Sequence, residues 1–543
     1  MVVSLPGRRL AERLSCGREK IQAVKRHRRR SLRTVQPSGC IVDQTSRQPI
    51  MKILLGIVAL LLAACAHTRP PTVALRNVTV VNVIDGSLRP AQTVLVEGKR
   101  IAAIGRTDEI NIPDHADVID AGGGFLIPGL WDMHVHSVAN VAADMAVDSV
   151  AAMDWHFPLF LAWGVTGVRN MNDGTGDVSL RLTNSVKHRL ATGDLHGPRF
   201  ISSGPSIDGD PPLGSNSAVV RTAQEARNVV NKLADSGADF IKVYENLQRE
   251  VYFAIMHEAK RRGIPVDGHV PFRVTPEEAA DAGQRTFEHV LAMAAGCSTS
   301  AAAERERFAH VLAPLAGSPA LESLTPMTLF QHERALYDSR DPAACAPTIA
   351  AYLRNGVADT PNVVAYRDVV NAKKILGDES RTRLVPEVIR RNWEAMLSTE
   401  IYAQMQAVLG PLVPLYSENA RLLNEAGVLL LAGTDVGIPA LIPGISLHEE
   451  LELLVEAGLT PLQSLRTATL NPARVLGQAD RLGSIEVGKL ADLVVLDANP
   501  LADIRNTQQI RAVIADGRVY RRADLDRLLQ EVESLNRRVR KPE

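Results

Sequence analysis

Phe125-Leu-Ile-Pro-Gly-Leu-Trp-Asp-Met-His-Val-His136 is an apolar run of strand length that closes on His-x-His. On an extended strand, residues two apart point the same way, so His134 and His136 present two imidazoles to one centre. That geometry suits a metal. Seven further apolar runs follow at 165–171, 199–204, 239–244, 264–269, 285–290, 357–364 and 428–434, separated by helix-length amphipathic stretches. This alternation is the texture of a parallel sheet, and eight such units predict an α/β fold built on a (β/α)8 TIM barrel. Two intervening helices announce their starts. Thr222 precedes Glu225 by three residues, and Thr275-Pro276 precedes Glu278 in the pattern of a capping box with proline in the first turn.

Candidate ligands fall where barrel enzymes put their chemistry, at the C-terminal ends of strands. His134 and His136 close the first run, Lys242 lies near the end of the fourth, His269 and His289 end the fifth and sixth, and Asp435 follows the eighth. Asp132, Asp267 and Glu288 adjoin them, either pointing away or steadying imidazole N–H groups. Tyr244, two residues after Lys242 and on its face, is a candidate catalytic residue that polarises a substrate carbonyl or holds a carboxylate. Arg169, on the second run, is a candidate to pair a substrate carboxylate, against a structural ion pair. His448 is a candidate pocket residue, whereas His156, His257, His310 and His332 read as solvated or packed.

Strand-like alternation before the barrel and again near the end predicts two β-rich pieces, 65–124 and 476–522, flanking a barrel at 125–475. The helical composition of about 291–356 and 366–416 reads as two insertions on the top face that shape the substrate pocket. Residues 523–543 read as a helix or tail.

At 543 residues, 45% apolar and 22% charged, the chain is neither a small binding module nor disordered throughout. Lys and Arg balance Asp and Glu at 61 each, yet residues 1–64 carry 13 basic against 3 acidic residues, leaving the rest at −10. That charge disfavours a nucleic-acid partner. The first 50 residues lack hydrophobic period and read as a basic extension or an upstream mis-start. Residues 51–64 end in Leu62-Ala-Ala just before Cys65 and resemble a bacterial lipoprotein signal peptide, too short to span a bilayer. The resemblance implies a lipid anchor on Cys65 and a periplasmic location at the outer membrane. Cys297 and Cys345 remain downstream, and an oxidising periplasm allows them to pair.

Pro128–His136, the lone Lys of Ile241-Lys-Val-Tyr, Gly268-His, Glu288-His and Gly433-Thr-Asp435, in this order, resemble the amidohydrolase superfamily of binuclear-metal type. In texture the chain is similar to metal-dependent prolidases, arginine-specific carboxypeptidases and imidazolonepropionase. The resemblance covers 72–520 and implies a small β-sandwich assembled from both chain ends beside the barrel. It implies two divalent ions, one held by His134, His136 and Asp435 and the other by His269 and His289. Lys242 would bridge both as a CO2-derived carbamate, since a cationic lysine would repel a dication. Zinc fits this N/O donor set, with manganese, iron, cobalt and nickel open. The implied activity is hydrolysis of a C–N bond in a small N-acyl amino acid or dipeptide, with Asp435 moving the proton. Cyclic amides, lactones or phosphotriesters are the alternative substrates, and a lipid-anchored binding protein without catalysis is the non-enzymatic alternative. A homo-oligomer stays open.

Overall fold

The computed structural model describes residues 71–137, 149–172, 174, 176–213, 217–312 and 320–538. The basic extension, the expected signal segment and the anchor Cys65 lie outside them. The described strands, in chain order, are β1 (Thr72–Val81), β2 (Leu88–Glu97), β3 (Arg100–Arg106), β4 (Asp117–Asp120), β5 (Phe125–Pro128), β6 (Leu130–Val135), β7 (Val165–Asn170) and β8 (Arg199–Ser202). They continue with β9 (Ile207–Asp208), β10 (Ala218–Val219), β11 (Ile241–Val243), β12 (Val266–Gly268), β13 (Thr286–Glu288), β14 (Ala358–Thr360), β15 (Leu493–Leu496), β16 (Ile510–Ala515) and β17 (Arg518–Arg521).

The flanking pieces meet. β17-β16-β15-β5-β1-β2-β3 form one sheet, with β4 beside β1. β15 runs antiparallel to β5, Val494 opposite Ile127. Val73, Leu75, Val94, Val96, Val495 and Ile514 bury one shared apolar core within it. The sandwich expected from both chain ends is thus one mixed sheet to which both ends contribute.

The run 125–136, expected as a single strand, is two. β5 joins the terminal sheet and β6 the catalytic one, with Gly129 at the junction donating its N–H to Asp492 O at 2.8 Å. β6-β7-β8 are parallel, as are β10-β9-β11-β12-β13-β14. β6 and β7 are buried along their whole length, as strands covered on both faces are. Backbone hydrogen bonds join the two arcs: Asp239 N to Ser202 O at 2.9 Å on one side, and on the other the 428–436 segment, which accepts from Met133 N at 2.8 Å and His136 N at 2.7 Å and exchanges bonds with Asp359 at 2.9 and 3.0 Å. The last expected run, 428–434, is not a ladder strand. Leu430 bridges Asp359 and Val436 bridges Val135, but Ala432 N donates to Thr467 O and Leu430 O accepts from Asn471, so helix-end groups take two of its backbone bonds and interrupt the ladder.

The caps form as the sequence predicts. Thr222 accepts from Glu225 N, and Thr275 and Glu278 cap each other's backbone. Between β13 and β14 lie helices Leu291–Gly296, Ala301–Leu312, Ala320–Asp338 and Ala346–Asn355, and a disulfide joins Cys297 to Cys345. After β14 come Val363–Leu376, Glu387–Leu397, Glu400–Leu409 and Val413–Ala426. The last described helix, Arg522–Arg538, buries Leu525, Leu528 and Val532 in the main core. No helix among the described residues is long and apolar enough to cross a membrane.

Candidate active site

All six candidate ligands sit on or just beyond β6, β11, β12 and β13 and the 428–434 run, and they converge. His136 Nε2 lies 3.0 Å and His134 Nε2 3.4 Å from Asp435 Oδ1. The His289 ring centre is 4.8 Å from that of His134 and 4.9 Å from that of His269. One donor atom from each of His134, His289 and Asp435 lies within 4.8 Å of the other two. Lys242, in the middle of β11, is fully buried.

The backbone is bent to achieve this. His289 and Asp435 both adopt left-handed conformations, φ 66° and 62°, which cost a non-glycine residue on the order of 1–3 kcal/mol. Two hydrogen bonds hold them there: His289 N to Thr360 O and Asp435 N to His134 O, each 2.7 Å. Gly433 lets the 428–434 run pass against β6, since a Cβ on it would stand 2.7 Å from His134 Cβ and 2.6 Å from Thr360 Cγ2.

A set of buried carboxylates orients the imidazoles. Glu288 Oε2 is 2.9 Å from His134 Nδ1, and Glu245 Oε1 is 2.7 Å from His269 Nδ1. Each leaves the other ring nitrogen free to act as a lone-pair donor. Asp132 accepts from Thr434 N at 3.0 Å and Thr434 Oγ1 at 2.7 Å, tying β6 to the loop that carries Asp435. Burial holds His134 and His269 well below the usual imidazole range and His289 at about 3, so all three stay neutral. Burial alone would raise Asp435, but His134, His136 and His289 hold its carboxyl well below the usual carboxylate range. Burial brings the Lys242 ammonium down to about 8 against the opposing pull of Glu288 and Asp435.

This donor set fits a divalent cation. His134 Nε2, His289 Nδ1 and Lys242 Nζ are buried with no hydrogen-bond partner among the described residues, a loss of about 1–3 kcal/mol for each polar group left unpaired. Neutral imidazoles, an ionised carboxylate and orphaned nitrogens aimed at one centre are what a metal site requires.

The site opens on a cavity of about 1200 Å³ whose lining includes Tyr244, His269, His289 and Asp435, together with residues of both insertions such as Leu329, Glu333, Tyr366 and Met405. Tyr244 stacks against His269 at 4.4 Å between ring centres, and burial raises its hydroxyl well above the usual range, so it stays a phenol.

Two expectations need correction. Arg169 does not reach the cavity as a partner for a substrate carboxylate. It is fully buried, and its guanidinium donates to Met133 O at 2.6 Å, Asp267 and Thr286 at 2.9 Å each, Glu288 at 3.0 Å and Thr360 at 3.2 Å. A strand buried on both faces offers such a side chain no route to solvent. His448 is no pocket residue either; Thr507 Oγ1 and Trp163 O occupy its two ring nitrogens. Sequence reasoning passed over Glu245, whose one signal is an acid directly after Tyr244, just past a strand end.

Residues 412–520 match the amidohydrolase family, a stretch that contains Asp435 alone of the six candidate ligands. The chain is similar to ochratoxinase of Aspergillus niger, 34% identical over 134 residues, covering 24% of this chain and 26% of that protein. It is also similar to imidazolonepropionase of Fusobacterium nucleatum, 34% identical over 107 residues, covering 18% of this chain and 25% of that one. The matched stretches thus span about a quarter of these relatives' lengths. A solved Xaa-Pro dipeptidase with methionine bound in its active site superposes on 83% of this chain and 100% of its own, with TM-score 0.59 and 23% identity, which shows a shared fold. Together the family match and the partial relatives support a relation to the amidohydrolase superfamily.

Proposed function

We propose that this chain is a metal-dependent hydrolase that cleaves the C–N bond of a small N-acyl amino acid or dipeptide, on a closed (β/α)8 barrel. One observation carries the reading: three orphaned buried nitrogens and the Asp435 carboxylate converge at the wall of a cavity large enough for a dipeptide.

His134, His136 and Asp435 would hold one divalent ion, His269 and His289 a second, with zinc the best match to the donors. When bound, such ions lower the pKa of a shared water and polarise a scissile carbonyl. Asp435 takes the proton of the attacking water and passes it to the departing nitrogen. Glu288 and Glu245 keep His134 and His269 in the tautomer that points a lone pair inward. Tyr244 offers its phenol to a substrate carbonyl or carboxylate. Lys242, its ammonium weakened by burial, has a neutral fraction able to add to CO2 with loss of one proton, and the resulting carbamate would offer anionic oxygen donors to the ions. The sequence at 51–65 and the Cys297–Cys345 disulfide support a lipid-anchored, periplasmic protein.

The test joins elemental analysis of the purified protein to a panel of N-acyl amino acids, dipeptides, lactones and a phosphotriester. Two bound metals and C–N hydrolysis abolished by chelation are expected. Metal-replete protein that cleaves only lactones or the phosphotriester, or nothing, overturns the reading.

A further inference from the structure

Glu333 takes no part in the chemistry above. It sits on helix Ala320–Asp338 in the first insertion, is 6% exposed, and lines the same cavity as His289 and Asp435. Its Oε1 is buried without a well-formed hydrogen bond among the described residues, the Tyr416 phenol being close enough to act on the carboxyl but supplying no charge. Buried carboxylates ordinarily face a cation or several N–H groups. Here none is supplied: Arg305, the one positively charged side chain among the described residues lining the cavity, acts on His332 and Glu278 rather than on Glu333.

What surrounds Glu333 is aromatic. Tyr366, which also lines the cavity, stacks on Tyr416 at 4.0 Å between ring centres, and Tyr337 meets Tyr416 edge-on at 5.8 Å. Tyr366 in turn stands edge-on to His289 at 5.9 Å, so the cluster adjoins the candidate metal centre. A carboxyl group without a cationic partner, beside stacked phenol rings, is the composition that recognises an organic cation, by charge and by the ring faces together.

We propose that Glu333 and the Tyr366–Tyr416 stack form a subsite for a protonated substrate nitrogen, so that preferred substrates carry an ammonium or guanidinium group away from the bond that breaks. This rests on the hydrolase reading only for the word substrate; the cation subsite is a property of the cavity itself. Burial, with Glu245 nearby, raises the Glu333 carboxyl to about 8, which agrees with a counter-charge that the chain does not provide.

The test is calorimetry on the full-length, metal-loaded protein with non-hydrolysable probes: n-pentylammonium and n-butylguanidinium against neutral 1-pentanol. At least one cation is expected to bind about tenfold or more tighter than the alcohol, with Glu333→Gln bringing the preference below about threefold. Equal binding of all three probes to the unaltered chain, a comparison that needs no variant, overturns the proposal; so does a preference that survives in folded Glu333→Gln. Hydrolysis of a free-amino dipeptide, an Nα-acetylated peptide with a basic side chain, and an uncharged Nα-acetylated peptide then identifies the source of the nitrogen. Cation preference in calorimetry with no peptide cleaved leaves the subsite standing and sinks the hydrolase reading. Cleavage that favours the uncharged peptide sinks the subsite alone.

Discussion

Glu288 stands between His134 and Arg169: one carboxylate oxygen is 2.9 Å from His134 Nδ1, and the other accepts from Arg169 Nη2 at 3.0 Å. A candidate metal ligand is thereby fixed to a guanidinium in the middle of the sheet. Glu288→Gln keeps the size of the side chain but weakens its hold on the imidazole. Metal affinity should fall by about 10–100-fold while the fold persists. Competition with a chromophoric chelator measures this, and unchanged affinity would mean that Glu288 does not orient His134.

Arg169 compensates two fully buried carboxylates, Asp267 and Glu288. Arg169→Met leaves Glu288 without its cation, while Asp267 keeps its ion pair with Arg285, and should cost about 3–5 kcal/mol of stability. Urea denaturation reads the loss directly. A variant with native stability and a raised KM would restore the role of substrate-carboxylate partner that the geometry denies.

Asp435→Asn retains a coordinating oxygen but is a far weaker base. The variant should fold, keep part of its metal, and lose nearly all turnover, by at least about the 100-fold typical of a removed acid–base group. Substantial residual kcat would count against Asp435 as the proton carrier.

Lys242→Ala removes the side chain proposed to supply donors to both ions. Bound metal should drop from two equivalents to one, and reconstitution of the unaltered protein should run more slowly in buffer purged of CO2. Two equivalents in the variant, by elemental analysis, would remove Lys242 from the site.

Glu450 supplies a test of pH dependence away from the metal centre. Burial raises its carboxyl to about 8 from an ordinary 4.5, and its oxygens accept from Val363 N at 3.2 Å and Val364 N at 2.7 Å. A folded-state pKa above the unfolded one means stability that is full below about pH 4.5 and is lost progressively as pH rises through 8. Glu450→Gln should therefore gain on the unaltered chain between pH 5 and pH 8. Parallel pH profiles of denaturation midpoint would contradict the assignment.

The ligand positions were legible because strand geometry puts chemistry at predictable places: His-x-His on one face, then single residues at successive strand ends. The boundary at Gly129 was not, since β5 and β6 form one unbroken apolar run and only their partners, Asp492 and β15 against β7, separate them. The 428–434 run lies between β14 and β6, where an eighth strand belongs, but sequence does not show that Ala432 N and Leu430 O turn to Thr467 and Asn471 and so interrupt its ladder. Arg169 looked like a substrate partner because sequence marks a charge near the site but not that five acceptors lie around it. Glu245 escaped notice because its role comes from nearness to His269, 24 residues further on.

The pairing of β5 with β15 has a consequence for how the molecule is made. Residues 125–128 can pair with β1 at once but find their second neighbour only when 493–496 have left the ribosome, so one edge of the frame beside the catalytic half stays unzipped through most of translation. Until then an apolar edge strand is exposed, and such edges recruit other chains. Truncation before β15 should thus yield insoluble protein even though every candidate metal ligand has already been synthesised.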